Sequence, residues 1–328
     1  RNKNGIISEL TNYGARVVSL WVPDINGSFD DIVLGCSTLD DYISIKERYF
    51  GATIGRYANR IKNGKFKINN TDFILKKNNG PNHLHGGNKG FESVVWKVNS
   101  FTENKLFLSY FSPHMEEGYP GNLTVSVEYQ LTDENELSIQ YFAQSDQTTI
   151  INLTHHSFFN LKGAGNGNVN DHLLQINADY FTPIDDQLIP TGVIQKVVNT
   201  PFDFLLPTQI GSRIDALDDQ LTYGHGYDHN YVLNPSDSIV SFAARVVEPV
   251  SKRTLEVYTN EPGMQFYGGN FLDGTVRGKR DKSYEYRGAF CLETQHFPDS
   301  INHPNFPSPI VRPESPFVSE TIFAFSNK

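Results

Sequence analysis

Leu123–Ala143, LTVSVEYQLTDENELSIQYFA, carries the clearest β-pattern in the chain. Residues of one kind recur at every second position, the period at which β-strand side chains share a face. The run breaks only at Asp133-Glu134-Asn135, a turn cluster, so Leu123–Leu131 and Glu136–Ala143 read as two strands of an antiparallel meander. Lys105–Phe111 supplies a third strand on the N-terminal side. Further out, Gly64–Leu75 reads as a hairpin whose Asn69-Asn70 pair tolerates the positive φ of a tight turn. Thr149–Leu161, Asp171–Asn177, Ile239–Val247 and Leu255–Asn260 continue the pattern. Helical spacing appears twice: Ser37–Ile43 behind a Ser/Thr cap, and Gln209–Leu221, where Ile210, Ile214, Leu217 and Leu221 fall at i, i+4, i+7 and i+11. Many short strands and few helices predict an all-β sandwich or barrel. With no repeat, low-complexity tract or linker, the expectation is one domain over residues 1–328.

Composition narrows the function. The chain has 328 residues and a net charge of −9, dispersed without like-charge blocks. No basic stripe is available to neutralise phosphates, so nucleic acid is not an expected partner. No apolar run approaches the roughly 20 residues of a membrane span, so a membrane is not expected either. Cys36 and Cys291 stand far apart and are expected as free buried thiols, which favours a reducing compartment and a cytoplasmic location. The chain begins at Arg1 rather than Met; a leader removed before it would place the protein in the periplasm or outside the cell.

Chemistry concentrates in a few stretches. Within Gly288–Pro309, Phe290, Leu292 and Thr294 share one strand face, and Ala289, Cys291, Glu293 and Gln295 share the other. Glu293 is thereby a carboxylate among small neighbours at a strand end, where binding groups tend to sit; a surface salt bridge is the plain alternative. In Thr148–Leu161 one face carries Ile151, Leu153, His155, Ser157, Phe159 and Leu161. The other carries Asn152, Thr154, His156, Phe158 and Asn160. His155 therefore belongs to the core and His156 to a wet cleft, unless His156 is a bystander. Successive strand side chains diverge, so the two histidines do not share a metal and Ser157 does not pair with His156 as a nucleophile. His83 and His85 are two apart, which in an extended chain places them on one face before Gly86-Gly87. A metal reading there lacks a third ligand at matching spacing. Asn59-Arg60 offers a guanidinium able to grip two oxygens, or an ordinary ion pair. Asp228 shares a face with Asn230, and Gln265 shares one with Tyr267.

Taken together and in order, GRYANRI (55–61), NHLHGG (82–87), NLTHHSFFNL (152–161), GYDHNYVL (226–233), GMQFYGGN (263–270) and LETQHFPDSINHPNFPSPIVRP (292–313) resemble the aldose 1-epimerases, or galactose mutarotases. The resemblance runs along almost the whole chain. It implies a large antiparallel β-sandwich, the supersandwich, with an open cleft. It places a general acid at His156, a general base at Glu293, and sugar-binding groups at Asn59, Arg60, His85, Asp228 and Gln265. Phe158 stands where some relatives carry Tyr, and His155 where many carry Asn. The implied reaction interconverts α and β anomers of aldohexoses such as galactose and glucose by ring opening, rotation and reclosure. It needs no cofactor and no metal. The implied partner is a monosaccharide, and the chain is expected as a monomer or homodimer. His156 must be protonated near neutrality, so nearby carboxylates are expected to favour its charged form. The acid and base are expected to face each other across a gap the width of one pyranose. Three rivals fit the same residues: a glycoside hydrolase using Asp228 and Glu293, a non-catalytic carbohydrate-binding protein, and an epimerase of hexose 6-phosphates. The last requires cations such as Arg56 or Lys62 at the cleft.

Overall fold

The structure, a computed structural model, describes residues 1–327. The opening stretch folds as its alternation predicts. Leu123, Val125, Val127, Tyr129 and Leu131 are all buried, while the residues between them are not. Leu123–Leu131 pairs antiparallel with Glu136–Ser145 from Leu123↔Ser145 to Leu131↔Leu137. Lys105–Ser112 pairs with the other edge of Leu123–Leu131.

These strands belong to a nine-stranded antiparallel sheet. Its order is Thr208–Gln209, Leu173–Ile176, Ser241–Val247, Thr254–Thr259, Phe317–Ser326, Glu136–Ser145, Leu123–Leu131, Lys105–Ser112, Lys97–Phe101. A second, five-stranded antiparallel sheet runs Gln195–Lys196, Tyr180–Thr182, Asp228–Val232, Gly263–Tyr267, Cys291–Gln295. One apolar cluster joins them: Val125, Val127, Ile139, Val257 and Phe323 from the larger sheet meet Tyr227, Tyr231, Met264, Phe266, Phe290 and Leu292 from or beside the smaller. Two sheets packed through inner faces make the expected sandwich. Each such side chain contributes roughly 1.5–3 kcal/mol on burial. The smaller sheet thus spends one face on the core and leaves the other to carry the site.

The hairpin turns at Asn69 and Asn70, with φ of 48° and 66°. The first helix, Leu39–Ser44, is capped by Thr38, whose side chain accepts from the Asp41 amide. Cys36 and Cys291 are free and buried.

Two expectations fail locally. Gln209–Leu221 is not one helix. It is the end of a strand, a short 3-10 turn at Ile210–Ser212, and a separate helix Asp219–Tyr223. Gly211 and the acidic residues Asp215, Asp218 and Asp219 favour turns and caps over helix interior, and Asp218 accepts from the Gln220 amide to restart the helix. Ile210, Ile214 and Leu221 still bury, whereas Leu217 is fully exposed. Thr149–Leu161 is not one strand either. Thr149–Ile150 pairs with Ile310–Val311, Thr154–His156 with Ala52–Ile54, and Phe159 bridges to Val33 and Phe290. The segment changes partner three times, which breaks the ladder, but the chain stays extended. Its faces survive: Ile151, Leu153, Phe159 and Leu161 lie in the core, and His155 is buried beside Tyr129 and Phe323.

Candidate active site

The outward face of the five-stranded sheet is organised by register. Asp228 lies opposite Tyr267, which lies opposite Cys291; Asn230 lies opposite Gln265, which lies opposite Glu293. Period-two alternation sends Tyr227, Tyr231, Phe266 and Leu292 inward and these polar residues outward. Thr154–His156 and the loops around Tyr49, Asn59–Arg60 and Asn79–His85 wall this face into a cavity of about 430 Å³. That is within the range of roughly 300–1,000 Å³ usual for small-molecule sites. Asn59, Arg60, His85, His156, Asp228 and Glu293 all line it.

His156 Nε2 lies 3.5 Å from Glu293 Oε1. The two groups are therefore in contact on the cavity floor and do not stand apart by the width of a sugar ring, as the sequence reading supposed. A ligand meets both from the same side. The His156 ring stacks on Phe158 and Tyr49, at centroid distances of 5.0 and 5.7 Å. Its Nδ1, like Glu293 Oε2, has no hydrogen-bond partner among the described residues.

Burial dominates the proton affinities. Glu293 is raised well above the carboxylate range by burial, then by the Asp228 charge, against the pull of Arg60. Asp228 is raised by burial, opposed by Arg60 and by the Gln265 hydrogen bond. His156 is pushed down to about 3 by burial. This corrects the expectation that neighbouring carboxylates hold His156 charged: burial raises Glu293 and lowers His156, which favours a shared proton on Glu293.

His85 owes its place to its backbone. It adopts φ of 51°, and Gly86 follows at 87°. A Cβ on Gly86 would lie 1.8 Å from the Gly55 carbonyl oxygen, so only glycine fits. The left-handed turn also separates the two histidines that spacing placed together. His83 instead lies buried against Tyr119, whose hydroxyl is 2.6 Å from its Nε2. His85 Nδ1 accepts from the Asn59 amide at 3.1 Å. Its proton therefore sits on Nε2, and neutral His85 is a donor. His85, His156 and Glu293 have ligand atoms within 4.8 Å of one another, a metal-like spacing. A metal needs a lone pair from each imidazole, and the His85 tautomer withholds it.

Arg60 is buried, its Nε donating to Asn79 Oδ1 at 3.1 Å. Gln265 does not line the cavity. It stands between Asn230 and Glu293 in the cross-strand row, donating to Asp228 Oδ1 at 2.7 Å, and so orients the carboxyl group that does. Tyr267, its neighbour on the same face, lines the cavity instead. Spacing alone missed Glu47, Tyr49, Phe271 and the 186–188 loop, which also line it. Only proximity in sequence to Gly55–Ile61 hinted at the first two. Glu47, partly buried, is pushed up to about 7 by burial.

The cations proposed for a phosphate lie elsewhere. Arg56 is buried and donates to the Ser112, Pro113, Pro120 and Gly121 carbonyls, and Lys62 lies 3.6 Å from Asp185. Neither lines the cavity, where Arg60 faces four carboxyl groups, those of Glu47, Asp186, Asp228 and Glu293.

Fold and site together define a class: an antiparallel β-sandwich with a buried imidazole–carboxyl pair at the floor of a cavity lined with hydrogen-bonding groups. Comparison with known proteins makes it specific. The family model described as Aldose 1-epimerase matches residues 1–324. Galactose mutarotase of Mus musculus is 46% identical over 318 residues, covering 97% of this chain and 90% of the mouse protein. Aldose 1-epimerase of Escherichia coli K12 is 37% identical over 327 residues, covering 99% and 93%. Among solved structures, the GalM/aldose epimerase homologue from C. elegans superposes with a TM-score of 0.92 at 31% identity, covering 100% of this chain and 97% of the other. Galactose 1-epimerase from Lactobacillus acidophilus gives 0.86 at 29% identity, covering 99% and 92%. The chain belongs to the aldose 1-epimerase family, a family of carbohydrate isomerases. No helix among the described residues is long and apolar enough to cross a membrane.

Proposed function

We propose that the chain interconverts the α and β anomers of aldohexoses such as galactose and glucose, with Glu293 as general base and His156 as general acid. The observation that carries this reading is the 3.5 Å contact between His156 Nε2 and Glu293 Oε1 on the cavity floor. Ring opening removes a proton from the anomeric hydroxyl and delivers one to the ring oxygen. Those two oxygens share one carbon, so an acid and a base that touch each other reach both from one side.

The pair needs a single proton. Burial, which raises Glu293 and lowers His156, favours that proton on Glu293 before the sugar binds. A bound sugar supplies the anomeric hydroxyl as donor to Glu293 and the ring oxygen as acceptor from His156. Hydrogen bonds to the charged forms favour them, and the proton passes to His156. Glu293 then takes the anomeric proton as His156 protonates the ring oxygen. The C1–C2 bond of the open aldehyde rotates, and the reverse transfers close the ring on the other face. Acid and base catalysis contribute about 10²–10⁴-fold each. Arg60, Asp228, Asn59 and the Nε2–H of His85 hold the hydroxyls that do not react, with Gln265 fixing Asp228.

Polarimetry on freshly dissolved α-glucose and α-galactose tests this. The expected result is decay to equilibrium faster than in buffer. A binding module leaves the solvent rate unchanged, and a hydrolase releases reducing sugar from a disaccharide; either outcome overturns the proposal.

A further inference from the structure

The cross-strand row that carries Glu293 is polar, buried and unsatisfied. Asn230, Gln265 and Glu293 are successive cross-strand neighbours, and Gln295 follows Glu293 on the same face, opposite Gly263. All four polar side chains are buried, with exposures of 1%, 3%, 2% and 0% in the order Asn230, Gln265, Glu293, Gln295. Asn230 Nδ2 and Oδ1, Gln295 Nε2 and Oε1, Gln265 Oε1 and Glu293 Oε2 have no hydrogen-bond partner among the described residues. Buried polar atoms are nearly always hydrogen-bonded, and leaving one unmade costs about 1–3 kcal/mol. Orphans on three adjacent strands therefore point to a shared ligand.

Gly263 marks where it sits. A Cβ there would lie 2.6 Å from Asn230 Oδ1 and 2.8 Å from Phe297 Cδ1. Asn230 therefore takes the place of a side chain at 263, which brings its amide beside Gln295, the residue opposite Gly263. Positions 263 and 295 are opposite on paired strands, where same-face Cβ atoms stand about 4.5–5.5 Å apart, a span that one water bridges. A buried water takes two to four polar partners, and this row offers them.

We propose that Asn230 and Gln295 form a buried water-binding site in this row, and that the water held there donates to Glu293 Oε2. This rests on the reading of Glu293 as the base, and it makes the two amides positioning residues. The other groups around Glu293 are already committed. His156 faces Oε1 from its own strand, while Asp228, Arg60 and Glu47 act on the carboxyl by charge. His85 has a ring nitrogen within 4.8 Å of a Glu293 carboxyl oxygen and is assigned above to a sugar hydroxyl, Cys291 shares the Glu293 strand, and His296 pairs with Glu261 at 2.7 Å. The water favours ionised Glu293 and so the arrangement in which His156 holds the proton.

The test replaces the amides by apolar side chains of similar shape, Gln295→Met and Asn230→Leu, and follows kcat/KM for mutarotation against pH. Without the donor, Glu293 holds its proton about tenfold more tightly, one pH unit. The neutral-pH value falls about tenfold and the alkaline limb moves up by about one unit. The acid limb, which reports a second proton entering the pair, stays in place. Combining both substitutions adds nothing, because they remove the same water. A merely structural role lowers activity without moving the alkaline limb, and an unmoved limb in a folded variant overturns the proposal. If neither variant folds, a high-resolution crystal structure of the unaltered protein decides. A water within hydrogen-bond distance of Glu293 Oε2 and a Gln295 amide atom supports the proposal, and a dry row overturns it. Absence of mutarotation in the unaltered protein would instead overturn the reading of function, with the water still open to crystallographic test.

Discussion

Replacing Glu293 by Gln is expected to inactivate the protein and stabilise it at once. Glu293 is 2% exposed, and its carboxyl is raised well above the usual range by burial and by Asp228. A carboxyl raised in the folded state contributes stability that is full below its unfolded pKa of 4.5 and is lost as pH rises through the folded value. Glutamine has nearly the same shape and does not titrate. The wild type therefore falls behind Glu293→Gln by about 1.4 kcal/mol for each pH unit above 4.5, until the folded pKa is reached. At pH 4 the two should unfold alike. At pH 5.5 the variant should lead by about 1.4 kcal/mol, and at pH 7 by more. Urea unfolding followed by fluorescence at these three pH values reads the difference, and polarimetry on the same samples reads a loss of about 10²–10⁴-fold. A variant less stable than wild type at pH 7, or a gap that does not widen with pH, would refute burial as the cause of the raised carboxyl. Enzymes hold catalytic groups at such a cost to stability.

Other consequences are open to measurement. Burial pushes His155, His156 and His229 down to about 3 and His83 and His172 to about 4. Their stability contribution is complete above pH 6.5 and falls as pH drops towards those values, so unfolding free energy should decline steeply from pH 6.5 to 4; a flat profile in urea titrations would contradict it. Gly86→Ala should cost about 1–3 kcal/mol through the strained left-handed backbone and reduce mutarotation further by displacing His85; retained kcat/KM would remove His85 from the site. Phe323→Ala should cost about 3–5 kcal/mol by opening a cavity between the sheets, while the folded fraction keeps its kcat.

The strands were legible because each half of the sandwich spends one face on apolar contact. Leu123–Leu131 and Cys291–Gln295 display that alternation directly. Alternation also placed His155 in the core and His156 in the cleft, although their segment is broken into pieces. Face assignment survives such breaks because it needs only an extended chain, whereas strand length depends on partners distant in sequence. The Gln209–Leu221 pattern misled for the converse reason: burial of Ile210, Ile214 and Leu221 is set by the surrounding core rather than by a helix. His85 and Gln265 mark the remaining limit. A left-handed residue reverses its side chain, and a residue on the right face can still spend its amide on a neighbouring side chain rather than on the cavity. Proton affinities were the least legible, since burial outweighs charges that the sequence does show.

If His156 and Glu293 act as one unit, a double substitution shows it. Polarimetry on fresh α-galactose should show His156→Asn and Glu293→Gln each reduced by about 10²–10⁴-fold. Groups that work in one proton-transfer step fail together, so the double variant should be no slower than the worse single one. Losses that multiply in the double variant, or a single variant with wild-type rate, would contradict the account.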